Sequence, residues 1–119
     1  MKTALIVDDC VCVRELMEML VSSLDFKVVG EAESGEIGVQ KYKELKPDVV
    51  FMDIMMEGMN GIEALRQIME YDPDAKVIIT SSLADQRFIA EEAQALGAKA
   101  FVVKPLDIKH VKEAISKVV

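Results

Sequence analysis

The chain has 119 residues, of which 51% are hydrophobic and 29% charged, and its net charge is −7. A domain of this length buries roughly two-thirds of its unfolded surface, so a disordered chain is excluded and one core needs no staples. The acidic balance disfavours contact with nucleic-acid backbones, which takes clustered Lys and Arg, and no apolar run approaches the ~18–20 residues of a membrane span. Asp8 and Asp9 follow the first apolar run at once. That is not a secretory leader pattern, so a cytoplasmic location is expected, with residues 1–119 as a single domain.

Two periods alternate along the chain. Residues 3–7 are a short apolar run of the kind found in a strand buried on both faces. Val13, Leu16, Met17, Leu20, Val21 and Leu24 then recur at helical spacing and predict a helix over 11–24. Residues 27–31 read as a second strand. A helix over 35–45 follows, with Ser34 as its cap and Ile37, Tyr42 and Leu45 pointing inward, and Pro47-Asp48 breaks it. Val49 to Met52 form a third strand ending at Asp53. Asn60, with Glu63 three residues on, resembles a capping box for a helix over 61–71. A turn at 71–74 leads to strand four, 76–80, and to a helix over 84–96 that Gly97 ends. Residues 100–103 are strand five, and Ile108, Val111, Ile115 and Val118 mark a last helix. Short apolar strands joined by helical crossovers imply an α/β fold, a parallel sheet covered on both faces.

Most strands finish in a polar group: Asp8 and Asp9 after strand one, Asp53 after strand three, Thr80 after strand four, Lys104 after strand five. In an open parallel sheet, ligands bind outside the carboxyl ends of the strands, where strand order reverses. With the order 2-1-3-4-5, a common doubly wound arrangement, strands one and three are neighbours there. Asp8, Asp9 and Asp53 then share one pocket beside Thr80 and Lys104. Close carboxylates repel, and their natural partner is a hard cation with oxygen ligands; Mg²⁺ fits, since it also takes phosphate oxygens. A hydroxyl at Thr80 and a positive charge at Lys104 suit a phosphoryl group in transfer, and Asp53 is placed to be the nucleophile that accepts it.

Other groups read more plainly. Cys10 and Cys12 lack the further N and S ligands of a zinc site, so they are taken as small apolar residues in a reducing compartment, with a redox role for Cys10 as the weaker alternative. Met52, Met55, Met56 and Met59 are read as gap-fillers and loop residues, and His110 as surface or packing.

The ordered set Leu5-Ile6-Val7-Asp8-Asp9, Pro47 through Ile54, Met59-Asn60-Gly61, Ile79-Thr80-Ser81 and Lys104-Pro105 resembles response-regulator receiver domains over the whole chain, and most closely the single-domain chemotaxis regulators. The resemblance implies a flavodoxin-like, three-layer (βα)5 sandwich and phosphorylation of Asp53 by a histidine kinase. It implies Mg²⁺ held by Asp9, Asp53 and the backbone carbonyl of Met55, with Asp8 through water, and phosphoryl contacts from Thr80 and Lys104. It also implies a cis Lys104–Pro105 bond, and a switch in which Phe101 turns inward as Thr80 moves. One position departs from the family pattern: Glu57 stands where receivers usually carry Pro, which adds negative charge near the site.

The expected role is therefore a switch that assists its own phosphorylation and dephosphorylation without being an enzyme on other substrates. Its output is contact with another protein, in chemotaxis and motility control, and a monomer is expected. The fourth helix carries Asp85, Glu91 and Glu92 against Arg87, so a partner with a basic patch is expected there. The candidates are a motor switch protein, an adaptor such as one of an archaeal-type motor, and a phosphatase. Two alternatives stay open: a phosphorelay intermediate or phosphate sink, and a binding module that is never phosphorylated. A dehalogenase-type phosphotransferase would need an acid two residues after Asp53, where Met55 stands, and a flavin protein would place phosphate against Asp8 and Asp9.

Overall fold

The computed structural model describes residues 2–54, 56, 60–81 and 87–118, and within these the side chains of 87–89 are left undescribed. The elements alternate as β1 (Lys2–Val7), α1 (Val11–Ser23), β2 (Phe26–Ala32), α2 (Gly35–Leu45), β3 (Val49–Asp53), α3 (Gly61–Tyr71), β4 (Val77–Ser81), α4 (Arg87–Leu96), β5 (Ala100–Val103) and α5 (Ile108–Ser116). All strand pairings are parallel, in the order β2-β1-β3-β4-β5. Both the fold class and the strand order agree with the expectation. The expected helix over 84–96 is seen from Arg87, and its first residues, Asp85 among them, lie outside the described residues.

Alternation within the strands assigns the two faces. Leu5, Val7, Val50, Met52, Val77 and Ile79 point to one side, where Val39 and Tyr42 of α2, Leu65 and Ile68 of α3 and Ala93 of α4 cover them. Ala4, Ile6, Val49, Phe51, Ile78 and Val102 point to the other, under Met17 and Val21 of α1 and Val111 and Ile115 of α5. The central strands are apolar on both faces because both are covered, the usual reason for continuous hydrophobic runs in a parallel sheet.

Local chemistry sets the helix boundaries. Ser34 Oγ accepts from Ile37 N at 3.3 Å, Asn60 Oδ1 from Glu63 N at 3.0 Å, and Asp107 Oδ1 from His110 N at 2.8 Å, each satisfying a donor of a first turn. The Glu63 carboxylate does not complete the capping box as expected; it turns to Arg66 and Gln67. The α2 helix closes with Lys46 in the left-handed region, φ 45°, its N–H on Tyr42 O at 2.8 Å, and Pro47 cannot continue it. At that same end of the sheet, buried Tyr42 donates to Asp72 Oδ2 at 2.7 Å and meets Tyr71 edge-on at 6.3 Å, tying α2 to α3. Burial, helped by the Asp72 carboxylate, holds the Tyr42 phenol far above its ordinary range.

One expectation of burial fails. Leu45, at the last position of α2, is 41% exposed because its side chain lies over Gly30 of β2, the edge strand of the sheet. Cys10, the N-cap residue of α1, and Cys12, in its first turn, are free and exposed thiols. Met52 is core and Met56 is packed half-buried against it, while Met55 and Met59 lie outside the described residues. His110 is on the surface, its ring Nδ1 2.7 Å from Asp107 Oδ2.

Candidate functional site: an acidic pocket at the carboxyl end of the sheet

β1 and β3 are neighbours, and each ends in an acid beyond its last apolar residue. Asp8 and Asp53 are 2% and 3% exposed, and Asp9 is on the surface. One carboxylate oxygen from each of Asp8, Asp9 and Asp53 lies within 4.8 Å of the others. An octahedral ion with bonds of about 2.0–2.1 Å asks its oxygen ligands to stand closer than that, by a small side-chain adjustment. A hard divalent cation therefore fits the donor set present. Met55 and Glu57 lie outside the described residues.

Buried Asp8 is held on every side. Its N–H donates to Ala32 O at 3.0 Å, and its carbonyl accepts from Arg14 Nη1 at 2.6 Å. Its Oδ1 accepts from Cys10 N at 2.9 Å, and its Oδ2 from Lys104 Nζ at 2.8 Å. The same ammonium is 3.5 Å from Asp53 Oδ1, so Lys104 crosses the sheet end from β5 to touch both buried acids. The Lys104–Pro105 peptide is cis, as expected. Burial works to lower the Lys104 pKa, but the hydrogen bond it donates to Asp8 and the charges of Asp53 and Asp8 outweigh it, and the net direction is upward.

That direction gives a pH test. A group with a raised folded pKa stabilises fully below its unfolded value, about 10.4 for Lys, and loses the contribution as pH climbs through the folded value. Lys104→Met should lower stability at neutral pH by about 1–2 kcal/mol, a buried-pair cost discounted for the partial solvent access of the ammonium. The gap between variant and wild type should hold through neutral pH and close only above about pH 10.4. Thermal melts of the metal-free proteins at pH values stepped upward from neutrality read this directly, and a gap that closes well below about pH 10.4 on that alkaline side would contradict it.

Thr80 is 3% exposed and stands opposite Asp53 in the β3–β4 register, while Thr80 O accepts from Ile54 N at 3.2 Å. Gly61 N, at the start of α3, donates to Ile54 O just after β3, at 2.9 Å. A Cβ on Gly61 would sit 2.0 Å from the Asp53 carbonyl oxygen. Glycine is required there for close backbone approach, a reason the motif Asn60-Gly61 did not disclose by itself.

A family model, the response regulator receiver domain, matches residues 4–116. The chain belongs to that family. Among relatives of this receiver domain, the chemotaxis protein CheY of Thermotoga maritima is 46% identical over 117 residues, 98% of this chain and 97% of the relative. That of Listeria monocytogenes is 47% identical over 113 residues, 95% and 94% of the two chains. A solved CheX–CheY–BeF3–Mg²⁺ complex from Borrelia burgdorferi superimposes with a TM-score of 0.93 at 37% identity, covering 98% of this chain and 88% of the other. This receiver domain is CheY-like.

On its far edge, Phe101 is half-buried against the α2–α3–α4 core. It lines a cleft of about 220 Å³ with Ala90, Gln94, Ala98, Lys99 and Lys117. Glu91 and Glu92 of α4 are exposed as expected, Asp85 lies outside the described residues, and so does the Arg87 side chain. Around Phe101 the acidic lean read from α4 is offset by Lys99, between α4 and β5, and by Lys117, just after α5. Among the described residues no helix is long and apolar enough to cross a membrane.

Sequence reasoning missed Arg14. Its signal was present: Arg14 shares a helical stripe with buried Met17 and Val21, three and seven positions on. A charge on an inward stripe must find acceptors.

Proposed function

We propose that this receiver domain accepts a phosphoryl group from a histidine kinase on Asp53 and then binds a downstream protein in chemotaxis or motility control. The reading includes residues 1–119 acting as one receiver domain in the cytoplasm. The observation that carries it is the convergence of Asp8, Asp9 and Asp53 at one sheet end, their ligand atoms within 4.8 Å, with Lys104 across them. Asp8, Asp9 and Asp53 would hold Mg²⁺. When bound, Mg²⁺ offsets the carboxylate charge and that of the incoming phosphoryl oxygens.

The chain's own residues supply the rest. An Asp53 carboxylate oxygen bonds to phosphorus as the bond from phosphorus to the donor imidazole nitrogen breaks, and the imidazole leaves with the electron pair. Asp8, with its backbone and both carboxylate oxygens engaged, is preorganised and needs little reordering. Lys104 exchanges carboxylate oxygens for phosphoryl oxygens within the same reach, and the Thr80 hydroxyl donates to another. Phe101 and the lysine-rimmed cleft beside it carry the change to the partner, and a phosphatase acts on the same acyl phosphate.

Intact mass after incubation with Mg²⁺ and a small acyl-phosphate donor tests this. A gain of one phosphoryl group, lost when a chelator is added, is expected. No gain from a folded protein would favour a binding module that works without phosphorylation.

A further inference from the structure

We propose that Arg14 is a positioning residue for the metal-binding acids, locking the Asp8–Asp9 peptide in the orientation that turns both carboxylates into one site. This rests on the reading of the acidic pocket given above. Arg14 lies in the first turn of α1, its side chain 15% exposed, and donates in two directions. Nη1 reaches the Asp8 carbonyl at 2.6 Å, and Nε reaches Glu31 Oε1 at 3.2 Å. Glu31 stands near the end of β2, and its own carbonyl accepts from Lys41 Nζ. The guanidinium therefore pins the outgoing end of β1 to the end of β2.

The carbonyl that Arg14 holds belongs to the peptide joining Asp8 to Asp9. Its plane sets the direction in which Asp9 leaves the strand. Asp8 keeps its other anchors without Arg14: its N–H on Ala32, and its carboxylate on Cys10 N and Lys104. Loss of Arg14 thus frees the peptide plane, and with it Asp9, while Asp8 stays buried. A planar fork with fixed donor directions can satisfy a carbonyl and a carboxylate at once; a lysine ammonium on this stem reaches one of them.

Mg²⁺ titration of the full chain, followed by calorimetry and by backbone amide resonances, tests the role. Arg14→Met should bind Mg²⁺ about tenfold more weakly, the low end for loss of a group that orients a metal ligand. Arg14→Lys should fall between it and wild type, and Glu31→Gln, which keeps an acceptor for Nε, should stay near wild type. In metal-free Arg14→Met the amide resonances of Asp9 and Cys10 should shift or broaden, with those of the β3 core unchanged. Wild-type Mg²⁺ affinity in Arg14→Met, with Asp53→Asn losing the ion in the same titration, would overturn the proposal and leave the acidic site standing. Wild type that takes no Mg²⁺ would overturn the acidic-site reading and this proposal with it. Should Arg14→Met not fold, Arg14→Lys decides: an affinity equal to wild type overturns the role.

Discussion

Asp53→Asn incubated with Mg²⁺ and a small acyl-phosphate donor should show no gain of mass where the wild type gains one phosphoryl group. The substitution is nearly isosteric, so a buried site that is 3% exposed keeps its packing and leaves no cavity. What changes is chemical. A carboxylate oxygen carries the electron pair that bonds phosphorus, whereas the amide delocalises its nitrogen pair and is a poor nucleophile. The loss is of the acceptor itself, so the expected signal is below detection rather than slowed. Folding should survive, because removing one of three carboxylates within 4.8 Å relieves repulsion and Lys104 keeps its 2.8 Å bond to Asp8. A melt no lower than wild type, with no mass gain, is the expected pair of results. A mass gain equal to wild type would place the acceptor on another residue.

Gly61→Ala should cost about 3 kcal/mol, the upper end for overpacking, and lower the melting temperature by roughly 10 °C. The added Cβ would stand 2.0 Å from Asp53 O, 2.7 Å from Ile54 Cα and 2.8 Å from Asp53 C. All three atoms are backbone, so no side chain can swing aside. Either α3 backs away, breaking the Gly61 N to Ile54 O bond, or the end of β3 moves and takes Asp53 with it. Both outcomes join stability to the site, so the variant should also accept phosphoryl slowly at temperatures where it is folded. Denaturant unfolding and the mass assay on one preparation check the two together. A melting temperature within about 2 °C of wild type would show that the loop relaxes at little cost.

The elements, their order and the acids of the pocket were legible in the sequence because each rests on local physics. Runs such as Val49–Met52 are apolar at every position only if both faces are covered, and Ser34 and Asn60 mark helix starts through bonds to residues three positions on. Polar residues closing apolar strands placed Asp8, Asp53, Thr80 and Lys104 at one end of a parallel sheet, since parallel strands put all their carboxyl ends together. Other features depend on distances across the fold. Leu45 had the spacing of an inward residue and ended at the rim, and the charge around Phe101 comes from Lys99 and Lys117, which chain proximity does not associate. That Lys104 lies nearer Asp8 than Asp53, that Gly61 leaves no room for a methyl group, and that Arg14 grips the Asp8 carbonyl were decided only by tertiary structure. Periodicity tells which side of an element faces inward, but side-chain reach and the gap between two backbones are set by how separate elements pack.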